Sequence, residues 1–210
     1  SYIIGIGEWV IAEACRQMRR WLDAGWPPLK VAVNLSARQF RFSNLCLSVA
    51  DALAANRIPP AMLELEITEG AMMQDLASAI HTTERLKALG VGLSLDDFGT
   101  GYSSLAYLSR LPLYQLKIDR SFVNDVSTNP NNAAIAKTII ALAQSLNLNV
   151  IAEGVETHAQ RNFLANAGCH SYQGYLFGRP LPLEDFEAYA RLNELAPRRV
   201  NQAYTHHEET

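Results

Sequence analysis

The stretch Leu63-Glu64-Leu65-Glu66-Ile67 alternates apolar and acidic side chains over five residues. In an extended strand, successive side chains point to opposite faces of the sheet. The three apolar side chains therefore share one face, and the two glutamates share the other. This pattern predicts a strand that packs helices on its apolar face and presents carboxylates on the opposite face.

Further apolar runs recur along the chain at the ~30-residue interval of a βα unit, separated by stretches that read as amphipathic helices. This alternation predicts parallel strands with helices between them. The predicted strands are Val31–Leu35, Leu63–Ile67, Val91–Leu95, Tyr114–Ile118, Val150–Ala152 and Ser171–Phe177. The predicted helices are Trp9–Leu22, Leu45–Asn56, Leu76–Leu89, Ser103–Ser109, Ala133–Leu146 and His158–Ala167.

Six βα units fit either an open doubly wound sheet or a (β/α)8 barrel that lacks two strands. A doubly wound nucleotide-binding sheet usually carries GxGxxG or GxxxxGK[ST] after a strand, and neither pattern occurs in the chain. A barrel of this type takes ~250 residues, so a chain of 210 residues is short by about two strands. We therefore expect an α/β fold of the TIM-like (β/α)8 type, truncated at the N-terminus to about six of eight strands.

The composition predicts one globular domain, which we place at residues 1–196, followed by a polar tail at 197–210. A formal net charge of -3 argues against a broad surface for nucleic-acid polymers or anionic membranes. The chain has no apolar run of ~20 residues and no signal-peptide layout, so we expect no membrane segment and a cytoplasmic location. Because the chain begins at Ser1 without an initiator methionine, we expect it to be part of a longer product, whose missing N-terminal regions could anchor it to a membrane.

Polar side chains gather at the carboxyl ends of the predicted strands, where parallel α/β barrels build their sites. Carboxylates and an amide oxygen that converge there with a single lysine would repel one another without a bound cation. Oxygen ligands without His or Cys favour Mg²⁺ or Mn²⁺. A pair of such ions can activate a bridging water for displacement at phosphorus, and the lysine can add positive charge. The residues concerned are Asn34, Glu66, Asp96, Lys117, Asp119 and Glu153.

Several of these residues also have a simpler interpretation, although two adjacent acids, Asp96 and Asp97, before a glycine-rich loop favour a functional role. Asn34 alone is typical of a turn at a strand end, and Lys117 alone is typical of a surface lysine. Glu66 with Glu69 could serve as a helix cap and a solvated face, and Glu153-Gly154-Val155-Glu156 could be an acidic loop before a helix. The joint pattern, and not any single residue, predicts a site. The three cysteines are far apart in sequence and lack metal-ligand spacing, which predicts reduced structural thiols.

Six stretches in series resemble the EAL family of cyclic-di-GMP phosphodiesterases in order and spacing. They are VAVNLSARQF at 31–40, ELEITE at 64–69, DDFGTGYSSL at 96–105, LKID at 116–119, AEGVE at 152–156 and QGYLFGRP at 173–180. Six motifs in order are much more specific than any one of them. The resemblance covers about Ile6 to Ala190 and implies hydrolysis of one phosphodiester of cyclic di-GMP to linear pGpG.

The resemblance also implies roles for individual residues. Mg²⁺ or Mn²⁺, as two ions, would be held by Asn34, Glu66, Asp96, Asp97 and Glu153, and the catalytic groups would be Lys117, Asp97 and Glu153. Gln173 and Pro180 would contact substrate. Glu69 would hold the loop from Asp96 to Ser104, Asp119 would lie beside the metals, and Glu156 would support the ligands.

The chain departs from the family in one respect, because no Glu-Ala-Leu occurs in its 210 residues. The family places that motif, with a metal ligand and a substrate-binding arginine, on a strand upstream of this chain. We therefore expect these residues alone to be inactive or nearly so. A barrel without two strands has two sheet edges, which predicts association with a second copy. The resemblance also implies a sensory or GGDEF-type domain upstream in the full-length protein.

Two other functions remain open on the sequence. A non-catalytic module that binds cyclic di-GMP, or docks on a protein, would keep the fold without the chemistry. A full set of oxygen ligands argues against it, and the missing Glu-Ala-Leu argues for it. A barrel hydrolase with a carboxylate pair, such as a glycosidase, would work without a divalent ion, so activity in EDTA would favour it.

Overall fold

The computed structural model describes residues 2–42, 44–101 and 105–193. One sheet of six parallel strands runs through them, and the strands are hydrogen-bonded in chain order from first to last. This order, without a reversal, is that of a barrel and not of a doubly wound sheet. The expected fold is confirmed as a curled half-barrel with helices. Its strands are β1 (Val31–Leu35), β2 (Leu63–Thr68), β3 (Gly92–Phe98), β4 (Gln115–Ile118), β5 (Asn149–Ala152) and β6 (Ser171–Tyr172).

Helices lie between successive strands, as expected of βα units. In the part of the chain that the structure describes, none of them combines the length and apolar character needed to cross a bilayer. A single 3-10 turn, Pro60–Met62, leads into β2. The helices are α1 (Tyr2–Asp23), α2 (Ala37–Phe40), α3 (Leu45–Asn56), α4 (Glu69–Met73), α5 (Leu76–Leu89), α6 (Leu105–Leu108), α7 (Arg120–Val123), α8 (Pro130–Ser145), α9 (His158–Asn166) and α10 (Leu183–Leu192).

The last predicted strand is wrong in length, because β6 ends at Tyr172 and not at Phe177. The ladder continues for one residue beyond it, where the backbone N–H of Gln173 donates to the Ala152 carbonyl at 2.8 Å. Gly174 follows at a φ of 155°, and the chain turns there, since the N–H of Phe177 bonds back to the Gly174 carbonyl at 3.1 Å. The apolar run was therefore a turn and not a strand.

Other boundaries differ by smaller amounts. α1 begins seven residues before the predicted Trp9, and β3 continues from the predicted Leu95 to Phe98. The predicted helix Ser103–Ser109 is observed as α6, and residues 103 and 104 lie outside the described residues. The predicted tail at 197–210 also lies outside them. The short helices α2, α4 and α7 follow directly on strand ends, where the sequence showed no periodicity long enough to predict them.

The two faces of the sheet differ as the alternation in β2 predicts. Leu63, Leu65 and Ile67 are fully buried and face the helices, together with the equivalent apolar residues of the neighbouring strands. Glu64 and Glu66 point to the inner face, where each of them contacts other polar side chains. Glu64 forms the lower of two polar layers along the strands, and Glu66 forms the upper one. In the lower level, Glu64 accepts hydrogen bonds from Ser94 and Gln115. The inner face therefore carries charge in a position that barrels usually fill with branched apolar residues.

The first and last described helices are in contact. Trp21 of α1 stacks on Trp26 with ring centroids 5.5 Å apart, and Phe186 of α10 lies 5.7 Å from Trp21. The indole Nε1 of Trp21 donates to Glu187 Oε1 at 2.9 Å. This aromatic cluster joins the helix before β1 to the helix after β6, so it links the two ends of the described sheet.

Candidate active site

Lys117 is the centre of a charged cluster on the inner face of the sheet. Its ammonium Nζ lies 2.8 Å from Glu66 Oε2, 3.2 Å from Asp96 Oδ1 and 2.6 Å from Glu153 Oε1. The lysine side chain is only 3% exposed. Since each carboxylate comes from a different strand or strand end, Lys117 marks the point where β2, β3, β4 and β5 converge.

Burial and charge act in opposite directions on this cluster. Burial alone would lower the pKa of Lys117, but its hydrogen bonds to Glu153 and Glu66 outweigh burial and hold the pKa above the ordinary lysine range. For Glu66 and Glu153, burial raises the pKa, the lysine counteracts it, and the nearby Asp96 adds to it. The net pKa of both carboxyls stays raised, so one buried cation does not fully offset their burial together with the charge of Asp96.

The end of β3 contains a bulge that changes the direction of Asp97. Leu95 pairs with Leu116 and Phe98 pairs with Ile118, so β3 has one residue more than β4 between these pairs. The irregular backbone conformation of the bulge is at Asp97, whose φ of 54° lies in the left-handed region. Asp and Asn tolerate this region better than most residues do. Asp96 and Asp97 therefore present their carboxylates to the same site, although they are consecutive in the strand.

Three carboxylates form the candidate metal site. One oxygen each from Asp96, Asp97 and Glu153 can be chosen so that all three lie within 4.8 Å of one another. Burial raises the pKa of Asp97, and the charges of Asp96 and Asp119 raise it further. Oxygens that repel each other at this separation and belong to half-buried or buried groups fit a hard divalent cation.

Asn34 lies beside this cluster, on the edge strand of the described sheet. It is paired in register with Glu66, so the two side chains lie on the same face, but Asn34 is exposed. Asp119 caps α7, where its Oδ1 accepts from the backbone N–H of Ser121 at 3.0 Å. Its negative charge acts on Asp97, which places it next to the cluster.

Glu69 contacts the loop that follows β3. It is the first residue of α4, it is 3% exposed, and its Oε2 accepts from the backbone N–H of Gly99 at 3.1 Å. A Cβ at Gly101 would lie 2.7 Å from Glu69 Oε1, so the loop passes directly over this carboxylate. The contact agrees with a supporting role of Glu69, which stays a prediction.

The remaining predicted residues, Gln173, Pro180 and Glu156, are exposed. Gln173 is bound through its backbone, since its carbonyl accepts from the N–H of Val155 at 3.0 Å, and its side chain faces solvent. Pro180 lines an open cavity of about 330 Å³ with Phe177 and Tyr189. Glu156 is exposed, and within the described ranges its one hydrogen bond comes from its backbone N–H to Gln160 Oε1 at 2.8 Å.

Sequence reasoning missed two sets of residues. Glu64, Ser94 and Gln115 form the polar level beneath the cluster, and the alternating pattern of β2 alone indicated that Glu64 faces inward. Gln160 is buried at the start of α9 and bonds to two loops. The spacing Thr157-x-x-Gln160 is a capping-box signature and could have revealed it.

The fold and this cluster define an α/β barrel protein with an acidic site at the carboxyl ends of its strands. Residues 1–180 match the EAL domain family, and the chain belongs to that family. Over 186 residues it is 53% identical to the bifunctional diguanylate cyclase/cyclic di-GMP phosphodiesterase MucR of Pseudomonas aeruginosa, covering 89% of this chain and 27% of MucR. It is 48% identical over 202 residues to the cyclic di-GMP phosphodiesterase NbdA of the same species, covering 94% of this chain and 26% of NbdA. The chain thus spans about a quarter of these relatives.

Solved structures show the same family. The phosphodiesterase of Pseudomonas aeruginosa MucR in complex with c-di-GMP matches with a TM-score of 0.85 at 52% identity, covering 88% of this chain and 75% of that one. The EAL domain of Mycobacterium smegmatis DcpA matches with a TM-score of 0.87 at 34% identity, covering 94% of this chain and 88% of that one. The homologues are phosphodiesterases of cyclic di-GMP, and the enzyme class expected from the sequence is confirmed for the family.

Proposed function

We propose that this chain binds divalent cations at its carboxylate cluster, and that the domain to which it belongs hydrolyses one phosphodiester of cyclic di-GMP to linear pGpG. The observation that carries the proposal is the approach of Asp96, Asp97 and Glu153 to within 4.8 Å. Hard oxygen donors in this number suit Mg²⁺ or Mn²⁺ better than Zn²⁺. Two ions would be held by Asn34, Glu66, Asp96, Asp97 and Glu153.

Divalent ions at this position would supply Lewis acidity and lower the pKa of a bound water. Lys117 would keep Glu66 and Glu153 in place through the hydrogen bonds described above, and its ammonium would offset negative charge that develops on the phosphate. Asp97 and Glu153 are the carboxylates we propose as catalytic together with Lys117. The exposed rim residues Gln173 and Pro180 would contact substrate, while Glu69, Asp119 and Glu156 would support the site.

The proposed substrate and the proposed neighbouring domains are inferred from the relatives. MucR and NbdA are named for cyclic di-GMP, and the MucR structure contains it, so the same dinucleotide is the proposed substrate here. A diguanylate cyclase or sensory domain in the same polypeptide belongs to the proposal, since MucR is named as bifunctional. The three free, buried cysteines suit a reducing compartment, which supports the cytoplasm as the place of activity.

A metal titration tests the first half of the proposal. The chain is expected to bind Mn²⁺, measured by electron paramagnetic resonance, and to lose most of that binding in Asp96→Asn. Asp51→Asn, which removes an exposed carboxylate of α3, is the matched control and should bind Mn²⁺ like the unaltered chain. Equal affinity in all three proteins would contradict a metal site at the cluster.

Turnover tests the second half. Cyclic di-GMP is incubated with the chain and Mn²⁺, and pGpG is quantified by chromatography. Because the chain has no Glu-Ala-Leu, we expect little or no product from it alone, and metal-dependent product from a longer form that contains the motif. Binding of cyclic di-GMP without hydrolysis in that longer form would favour a non-catalytic sensor, and product formed in EDTA would favour a metal-independent hydrolase.

A further inference from the structure

Gln160 joins two loops at the rim of the sheet. Its side-chain Oε1 accepts from the backbone N–H groups of Glu156 and Thr157, each at 2.8 Å. Its Nε2 donates to the backbone carbonyl of Asn124, also at 2.8 Å. The residue is only 6% exposed, so these bonds are formed away from solvent. One amide therefore connects the loop after β5 to the segment after α7.

The orientation of this amide is fixed by chemistry. Its oxygen faces two N–H donors, and its nitrogen faces a carbonyl acceptor. The reverse orientation would place donors against donors and an acceptor against an acceptor. The side chain therefore has one satisfied arrangement, and that arrangement holds the two loops at a fixed separation.

The two connected segments carry residues of the candidate site. The first begins with Glu153, whose carboxylate bonds to Lys117, and the second follows the helix capped by Asp119. The first segment also lies against α7 itself, since a Cβ at Gly154 would lie 2.6 Å from Arg120 Cβ. The bonds of Gln160 to Thr157 and Asn124 are a second connection between the same two parts of the chain.

Helix capping alone does not account for Gln160. The capping box of α9 needs an acceptor at this position, and glutamate provides one as well as glutamine does. The bond to Asn124 O, 36 residues away in the chain, needs a donor, which glutamate lacks. The amide oxygen of Gln160 thus completes the cap, and its amide nitrogen, which glutamate lacks, makes the connection between the loops.

We infer that Gln160 is a positioning residue for the proposed metal site: its amide ties the loop that carries Glu153 to the segment that follows Asp119, and so sets where the Glu153 carboxylate lies relative to Asp96 and Asp97. The inference rests on the proposed function. Groups that orient ligands in this way typically change metal affinity 10–100-fold when they are altered.

Two substitutions separate positioning from capping. Gln160→Glu keeps the acceptor for the cap and removes the donor to Asn124, while Thr157→Ala removes the capping oxygen and leaves the tether intact. Gln160→Glu is expected to weaken Mn²⁺ binding by roughly tenfold or more, measured by electron paramagnetic resonance on the 210-residue chain. The added negative charge would by itself favour a cation, so a loss of affinity cannot arise from charge. Thr157→Ala is expected to lower the melting temperature by roughly 2–4 °C with unchanged Mn²⁺ affinity.

Hydrogen exchange on the metal-free chain gives a readout independent of the ion. In Gln160→Glu, the amides of residues 153–157 and 119–124 should exchange faster than in the unaltered chain. If Gln160→Glu melts below the assay temperature, Gln160→Met, which keeps the volume, replaces it with the same expectations, measured against Thr157→Ala. Faster exchange with unchanged Mn²⁺ affinity would overturn the positioning role and leave the proposed function standing. Absence of Mn²⁺ binding by the unaltered chain would overturn both.

Discussion

Asp96 and Asp97 are consecutive in β3, yet both present a carboxylate oxygen within 4.8 Å of the other and of Glu153. A regular strand would send them to opposite faces. The extra residue in β3 and the left-handed φ of 54° at Asp97 bring them together, and the backbone N–H of Asp97 donates to Asp96 Oδ1 at 3.0 Å. The bulge thus brings the two carboxylates to one site, where burial and then the charges of Asp96 and Asp119 raise the pKa of Asp97.

Replacement of Asp97 by asparagine should stabilise the metal-free chain and weaken its binding of metal ions. Asparagine tolerates the left-handed conformation, so Asp97→Asn keeps the bulge and removes one charge. In EDTA, this variant is expected to melt a few degrees higher than the unaltered chain, because a partly buried charge is removed and its repulsion from Asp96 and Asp119 is relieved. Added Mn²⁺ should raise the melting temperature of the unaltered chain and leave that of the variant nearly unchanged. Melting curves by circular dichroism measure both effects.

The pH dependence provides the control for this prediction. A carboxyl group whose pKa is raised in the folded state holds its proton more tightly there than in the unfolded chain, so its unfavourable effect grows as the pH rises through that pKa. The stability gained by Asp97→Asn should therefore be larger near pH 8 than at a pH close to the ordinary carboxyl range of about 4. A gain that is larger at the acid end would contradict the assigned repulsion. Asp51→Asn should show neither effect.

Loss of Lys117 should destabilise the metal-free chain strongly. Lys117→Met keeps the approximate length of the side chain and leaves Glu66, Asp96 and Glu153 without their shared cation. Removing one partner of a buried ion pair typically costs about 3–5 kcal/mol, and here three carboxylates depend on the same ammonium. The free energy of unfolding, measured by urea denaturation in EDTA, is expected to fall by that amount.

The exposed Lys87 of α5 is the matched control, and Lys87→Met should change the free energy of unfolding by less than about 0.5 kcal/mol. Because the pKa of Lys117 is raised, its stabilising contribution should stay complete from neutral pH up to the ordinary lysine value near 10.4, and it should weaken in acid as Glu66 and Glu153 take up protons. An equal, small effect of both substitutions would show that the cluster does not depend on Lys117.

The alternating pattern predicted the inner face well, for a physical reason. A two-residue period in Leu63-Glu64-Leu65-Glu66-Ile67 has one solution when the apolar side chains must be buried, so the position of Glu66 followed directly. Lys117 followed from the same period, because it lies between Leu116 and Ile118, which are both fully buried. Where alternate residues of a strand must be buried, the sequence alone is therefore sufficient to predict which side chains face inward.

Local backbone geometry could not be predicted in the same way. Asp97 breaks the period through a bulge, and no rule of alternation indicates which residue of a strand end is extra. The turn at Gly174 ended β6 inside an apolar run whose composition was typical of a strand. The contact of Gln160 with Asn124 joins residues 36 positions apart, and such pairings depend on the fold as a whole. The side chains that face the inner side of the sheet were therefore predictable, and the contacts that connect the loops were not.

The three cysteines should be unreactive in the folded chain. Cys15, Cys46 and Cys169 are buried and free, and burial raises the pKa of all three, that of Cys15 to about 11. Only the thiolate attacks a disulfide reagent, and both low access and low thiolate content slow the reaction. At pH 8, Ellman's reagent is expected to release no fast equivalent from the folded chain and three equivalents after unfolding in guanidinium. A fast equivalent at pH 8 would show that at least one cysteine is accessible.

Two glycines in the same helix should respond oppositely to alanine. Gly5 and Gly7 both lie in α1, and alanine is favoured over glycine in a helix by roughly 0.5–1 kcal/mol. Nothing lies within 4 Å of a Cβ at the exposed Gly5, so Gly5→Ala should stabilise the chain by about that amount. A Cβ at Gly7 would overlap the side-chain amide of Gln39. That amide is buried, and its Oε1 accepts from the Ser36 N–H at 3.1 Å and from Ser36 Oγ at 2.7 Å.

Gln39 therefore cannot move away from an added methyl group without losing the capping box of α2, which begins two residues after β1 ends. Gly7→Ala should destabilise the chain by about 1–3 kcal/mol, the usual range for overpacking, despite its better helix propensity. Urea denaturation of the two variants beside the unaltered chain gives both values under one set of conditions. The sign of the difference is decisive, because propensity alone would stabilise both variants equally. Stabilisation by Gly7→Ala would mean that α1 does not pack tightly against Gln39 of α2.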